Sequence, residues 1–405
     1  MNHLGPIFRA LLRNKVGAVL IALQVAVTMT IVVNAIHLIS SRSDLIARDS
    51  GLDESNQFYI TTIGYDQNYD ARYVTDTDLD SLRQLPGVVD AVQINALPMS
   101  NSGSSTTIKN AAGEDAGDAG AALYYVDDHA LNTMGIELLA GENFNATDIT
   151  WREMNKGTMP QKIMITATLA QSLFPDLEPE QVVDKTLFNG DDEPMTVIGV
   201  IKQLHAPWVG WGNIEHAMLV PQKSDSVYAH YLVRTEPGQR ATVMPEALAK
   251  IEQRDVGRMV LEHDTMTQVR ADSYRNDTAL QSILWAIIVT LMLITALGIV
   301  GLISFTINRR RRQIGTRRAL GASRGDIMSY FLTENLLITL TGVVIGGMGS
   351  VGLNIVLVNN FDLPRLDYIY LPIAMVCLVV VGLAAVFGPA LRAAHISPAT
   401  ATRNI

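Results

Sequence analysis

The sequence predicts an α-helical membrane protein with four transmembrane helices and a large α+β domain, outside the membrane, inserted between helices 1 and 2. Three observations predict it. The 405 residues contain four long apolar runs, the charged residues segregate along the chain, and the stretch between the first two runs mixes strand and helix patterns.

The apolar runs come first. Residues 279–307 carry no charge, and 16–41, 325–358 and 369–391 hold only Asp326 and Glu334. A helix needs roughly 20 apolar residues to cross a hydrocarbon core about 30 Å thick, and every run suffices. The spans are placed at 16–41, 278–307, 327–358 and 369–391. The first run is too long for a signal-peptide core and lacks a small-residue cleavage site after it, so it is expected to stay as an anchor.

Charge then assigns sides. The formal net charge is −9, yet 42–277 holds 18 basic against 36 acidic residues, leaving 13 basic and 4 acidic elsewhere. The basic excess falls at the N-terminal segment 1–15 (Arg9, Arg13, Lys15), in the loop 308–326 and in the tail 392–405 (Arg392, Arg403). Basic residues in short loops remain cytoplasmic during insertion. Both termini and the loop are therefore expected in the cytoplasm, with 42–277 and the short loop 359–368 outside. Six arginines between Arg309 and Arg318 are thus explained as topology signals rather than a nucleic-acid patch. Cys377, the single cysteine, lies in the last run, so the outer segment has no disulfide.

Within 42–277, strand chemistry appears at 57–63 (QFYITTI), 88–94, 122–126, 162–166, 195–201, 217–220 and 229–234. Helices are expected at 76–85 with Asp76 as cap, and at 128–134, 167–174 and 244–254. Residues 100–120 are rich in Gly, Ser and Ala and read as a loop. Residues 264–274 read as a helix leading into the second span.

Chemistry-bearing patterns are scarce. No G-x-x-x-x-G-K-[ST] loop occurs, so nucleotide hydrolysis by that route is not expected. His205, His216 and His263 lack metal-ligand spacing, and no Ser/His/Asp set has local support, so neither a metal nor a catalytic residue is predicted. Asp191-Asp192-Glu193 reads as a solvated turn. Among polar residues in the spans, Gln24 and Asn34 are noted, His37 is expected to reach the headgroups, and Glu334 to pair with an arginine. Gly342 and Gly346 form a small-x-x-x-small pair for close helix packing. Trp208 and Trp211 serve either local packing or a substrate or partner surface.

One span, a large outer domain and three more spans, together with local motifs, resemble the permease subunits of MacB/FtsX-type ABC transporters. RRQIGTRRALGAS (311–323) is similar to the family's cytoplasmic signature, and GPALRAAHISPATATR (388–403) to its C-terminal motif. KIMITATLAQSLFPD and MTVIGVIKQL resemble its periplasmic core. Gln313 departs from the usual Glu, and Thr402 from the usual Leu. The resemblance implies a non-catalytic permease, without its own nucleotide-binding domain, in a bacterial inner membrane. Implied partners are a separate ATPase dimer that binds ATP and Mg, a second permease of the same or a homologous chain, a periplasmic adaptor and membrane lipids; no nucleic acid is implied. It further implies that 308–326 is a coupling loop, with Ile314, Gly315, Arg317, Arg318, Ala319, Leu320 and Gly321 as ATPase contacts. Arg309, Arg310, Arg311 and Arg312 would hold the membrane boundary. The expected output is mechanical transmission to the outer domain for export of a peptide, antibiotic or lipid-linked substrate. The alternatives are signalling to a cell-wall hydrolase or extraction of lipoproteins.

Overall fold

The computed structural model describes residues 15–113, 116–152, 159–254, 256–361 and 363–396. Arg9, Arg13, Thr402 and Arg403 lie outside the described residues. The chain divides into two compact units, Met1–Ala47 with Asn276–Ile405, and Arg48–Arg275.

Among the described residues, four helices are long and apolar enough to cross a membrane. They run Lys15–Ile46, Arg275–Arg309, Arg324–Phe361 and Tyr370–Ala394. The first and third pack closely along a seam of small residues. A Cβ on Gly342 would lie 2.8 Å from the Ala22 carbonyl, and one on Gly346 would lie 2.6 Å from the Ala26 carbonyl. Polar groups run beside this seam: Thr30 Oγ1 donates to the Gly346 carbonyl at 3.1 Å and Asn34 Nδ2 to that of Ser350 at 3.1 Å. Without a hydrophobic driving force between helices in lipid, close backbone approach and such bonds hold the bundle. Gly346→Ala is therefore expected to force the two backbones apart and lower the thermal midpoint of the solubilised protein. Size-exclusion after heating reads this, and an unchanged midpoint would refute the seam.

The remaining spans are tied similarly. Gln24 Nε2 donates to the Ile294 carbonyl at 3.0 Å, and the Thr28 and Thr295 hydroxyls bond at 2.8 Å. His37 departs from its expected place at the headgroups. Its Nε2 lies 3.2 Å from the Pro364 carbonyl and its ring rests against Tyr370, so it closes the bundle internally.

The second unit begins with β1 (Gln57–Gly64), α1 (Ala71–Arg83), β2 (Val88–Ile94), β3 (Ser104–Lys109) and β4 (Asp118–Val126). Next come α2 (Ala130–Met134), β5 (Leu138–Gly141), β6 (Thr150–Arg152), β7 (Lys162–Thr166), α3 (Ala167–Leu173) and α4 (Pro179–Val182). It ends with β8 (Thr186–Phe188), β9 (Pro194–Ile201), β10 (Ala217–Ser224), β11 (Tyr228–Thr235), α5 (Arg240–Glu252), β12 (Arg258–Thr265) and α6 (Met266–Ser273).

Four strands form an antiparallel sheet in the order β12-β1-β11-β2. One face of it, with Phe58, Ile60 and Val233, packs on Leu79 and Leu82 of α1 and Val243 and Ile251 of α5. The opposite face, with Tyr59 and Leu232, shares a core with Met266 and Val269 of α6. A second sheet follows β4-β3-β8-β9-β7-β10-β6, and an additional β4–β10 pairing closes most of it on itself.

Several local readings change. Helix α1 is capped by Asp70, whose side chain accepts from the Tyr73 amide, and starts at Ala71, five residues before Asp76. Asp76 instead pairs with Lys223 at 2.5 Å. The segment 100–120 is not all loop, because β3 uses the β-branched run Thr106-Thr107-Ile108. Residues 264–265 finish a strand, and the helix begins at Met266 with Thr265 accepting from the Gln268 amide. The helix expected at 244–254 begins at Arg240.

Both ends of this unit are pinned together. Arg270 on α6 grips Glu54 at 2.7 and 2.9 Å and donates to the Arg48 carbonyl at 2.8 Å. Ser50 also bonds Glu54, and the Ser50 carbonyl accepts from the His205 amide.

Candidate coupling loop

The arginine-rich stretch folds as a short helix, Arg311–Ala319. Its termination is written in the sequence. Gly321 adopts φ +97°, the left-handed region that glycine enters without a Cβ penalty. Its amide donates to the Arg318 carbonyl at 3.2 Å and that of Ala322 to the Arg317 carbonyl at 3.1 Å, a Schellman closure. The third spanning helix then starts at a capping box. The Asp326 amide donates to Ser323 Oγ at 3.1 Å, and the Ser323 amide donates to the Asp326 carboxylate at 2.9 Å. Two helix ends are thereby fixed within a few residues, which leaves the loop little freedom.

The arginines divide by environment. Arg310 turns inward and grips Glu334 at 3.2 and 3.3 Å, with Tyr330 Oη at 3.4 Å. Glu334 is 5% exposed, so this is a sheltered pair. Of the four arginines expected at the membrane boundary, Arg309, Arg311 and Arg312 are exposed and Arg310 is not. Arg317 lies over the Tyr330 ring at 5.1 Å. Arg318 donates to the Ala394 carbonyl at the end of the fourth span. Ile314 is 5% exposed within the bundle core, and Gly315 is buried beside it.

Among the expected contacts, Arg317 on the helix and the turn beyond it remain open to a partner. Ala319 and Gly321 are exposed, and Leu320 is 83% exposed. An isolated leucine that open, carried on a doubly capped turn, is an apolar knob held in one orientation. Of the two aliphatic residues among the expected ATPase contacts, Ile314 faces the core and Leu320 faces outward. The Tyr330 and Ala394 contacts escaped the sequence reading because they join positions 13 and 76 residues away from Arg317 and Arg318. Ser323-x-x-Asp326 is a helix-start signal legible in the sequence.

The other singled-out residues lie elsewhere. Trp208 and Trp211 stack edge-on at 5.7 Å against the domain core. A Cβ on Gly120 would sit 3.1 Å from Trp211, so the pair fills space locally. Asp192 turns at φ +60° and pairs with Lys109 at 2.9 Å. No group of three or more potential metal ligands occurs among the described residues.

Comparison with known proteins gives two family matches. The model of the MacB-like periplasmic core domain matches residues 16–254, and that of the FtsX-like permease C-terminal region matches 285–398. The chain is 25% identical over 292 residues to the macrolide export ATP-binding/permease protein MacB of Chromobacterium violaceum, covering 69% of this chain and 43% of that protein. Its counterpart in Neisseria gonorrhoeae is 24% identical over 317 residues, covering 75% and 46%. The chain thus spans less than half the length of these relatives. Among solved structures, the periplasmic region of MacB from Actinobacillus actinomycetemcomitans aligns at TM-score 0.34 and 13% identity, covering 56% of this chain and 97% of that one. The extracellular domain of the transporter YknZ from Gram-positive bacteria aligns at TM-score 0.31 and 18% identity, covering 50% and 100%.

Proposed function

Because the chain belongs to the MacB/FtsX family of ABC transporter permeases, we propose that it is the membrane subunit that converts ATP hydrolysis by a separate ATPase dimer into movement of its outer domain. In this reading the chain sits in the bacterial inner membrane with both termini and 308–326 in the cytoplasm. The α+β core domain is inserted between the first two spans, outside the membrane. A second permease completes the pair, an adaptor joins outside, and the stroke extrudes a peptide, antibiotic or lipid-linked substrate. ATP and Mg belong to the partner ATPase, and no residue of this chain takes part in bond breaking.

The observation that carries this reading is the exposed Leu320 on a loop braced against three spans. Arg310 ties the end of the second span to Glu334 in the third, and Arg318 ties the loop helix to the end of the fourth. A push on the turn reaches all three at once.

Leu320→Asp tests it. A desolvated apolar anchor at the centre of an interface is worth about 2 kcal/mol or more, and each 1.4 kcal/mol is tenfold, so roughly 30-fold weaker capture of the ATPase is expected. Membrane level should stay unchanged, because Leu320 is 83% exposed. Co-purification with the ATPase is the measurement, and Arg309→Glu is the control. Retained ATPase and full transport in the Leu320→Asp protein would remove the coupling role. Reversal of Arg318 is a poorer test, since it also breaks the Ala394 contact.

A further inference from the structure

The four-stranded sheet of the outer unit carries a cavity on its α6 side. Strand register builds its floor: Glu262 on β12 and His230 on β11 are both partners of Thr61 on β1, so the three share one rung. Cross-strand partners present their side chains on the same face. The next rung aligns Asp264, Tyr59 and Leu232. The loop after β2 forms one wall and α6 the other, and Ser273 Oγ joins them by donating to the Met99 carbonyl. The enclosed volume is about 330 Å³. That lies at the small end of the range of about 300–1,000 Å³ typical of ligand pockets.

The lining has one sign. Among the described residues, Glu262 and Asp272 border the cavity, and neither lysine nor arginine does. Asp272 shares its charge with Arg275 and accepts from Gln268, so Glu262 is the principal anion. His230 adds no opposing charge, because burial pushes its pKa down, and its Nδ1 is engaged with Thr61 Oγ1 at 2.8 Å. The field shows on Tyr59, whose phenol is driven up first by burial and then by Glu262, with Asp264 and Asp272 adding to it. The apolar part of the lining is Ala96, Leu97 and Val269, the last on α6 one turn from Asp272.

We propose that this cavity binds a small ligand bearing one protonated amine on a compact apolar body, with the ammonium at Glu262 and the body against Leu97 and Val269. The proposal concerns the outer unit alone and does not depend on ATPase coupling. The ammonium meets a carboxylate and hydroxyl acceptors, a charge-assisted arrangement that a neutral or anionic analogue of the same shape forfeits.

The test uses the full chain in zwitterionic nanodiscs, with calorimetric titration of 2-phenylethylamine and of its neutral isostere 2-phenylethanol, and empty discs subtracted. The amine is expected to bind at least about tenfold more tightly than the alcohol. Glu262→Gln, at an exposed position, should erase that preference, whereas Glu137→Gln on another surface should keep it. Ser102→Trp, on the exposed rim, should block the amine without lowering the thermal midpoint. Equal affinity for amine and alcohol, no amine binding up to about 10 mM, or an unchanged preference in Glu262→Gln would each overturn the proposal.

Discussion

Asp78→Ala is expected to lower the thermal midpoint of the outer unit by roughly 6–20 °C. Asp78 projects from α1 into a site of zero exposure, where it takes Arg254 at 3.1 Å and also Arg258. Arg258 is itself almost fully buried, with a 2% exposed side chain, and Asp78 is its ion-pair partner. One carboxylate therefore joins α1 to the end of α5 and to β12. Removing a single partner of a buried pair costs about 3–5 kcal/mol, because the remaining charge stays desolvated. At about 2–4 °C per kcal/mol for a unit of this size, the stated range follows. Arg258 keeps one bond, to the Ile251 carbonyl at 2.8 Å, which does not replace a counter-charge. Asp78→Asn retains shape and an acceptor and should fall between the two. Thermal unfolding followed by circular dichroism decides, and a shift under about 2 °C for Asp78→Ala would show that the pair contributes little.

Acid is expected to destabilise the same unit through His205. This side chain is fully buried and neither ring nitrogen has a hydrogen-bond partner. Burial, reinforced by the positive charges of Arg48 and Arg270, pushes its pKa down to about 4, against the opposing pull of Glu54 and Asp49. The folded state therefore resists protonation while the unfolded chain accepts it near pH 6.5. Stability is whole above pH 6.5, declines as pH falls below that value, and the loss saturates below about pH 4. At pH 4.5 the loss from this group is about 2–3 kcal/mol, or roughly 4–12 °C. His205→Leu removes the titrating ring and two unsatisfied nitrogens together, so its midpoint should fall less between pH 7.5 and 4.5. Equal acid sensitivity in the two proteins would exclude His205 as the source.

The sequence and the structure agree where one physical signal dominates locally. Each long apolar run lies within one helix, because no alternative satisfies the backbone of twenty such residues in lipid. QFYITTI and KIMIT are strands by their own side-chain chemistry. Agreement fails where a distant partner decides. Ser104 and Ser105 look like loop residues, and only pairing with Ala122 and Leu123 makes them strand. Asp76 has the chemistry of a cap, but Asp70 stands where the helix begins and Lys223 claims Asp76. Ile314 and Leu320 are equally apolar in sequence. Which one faces a partner is set by the rotation of a nine-residue helix against Tyr330 and Ala394, and no local pattern encodes that. Net charge does not distinguish Arg310 from its neighbours, since that distinction rests on Glu334.

The Arg270 clamp has a mechanical meaning. By fastening Glu54 and the Arg48 carbonyl to Arg270 of α6, the clamp brings the opening and closing segments of the outer unit to one point. Tension arriving along either length of polypeptide is shared by the other at that point, before it reaches a strand. The hydrogen bonds of β1 and β12 are thus shielded from being peeled one by one.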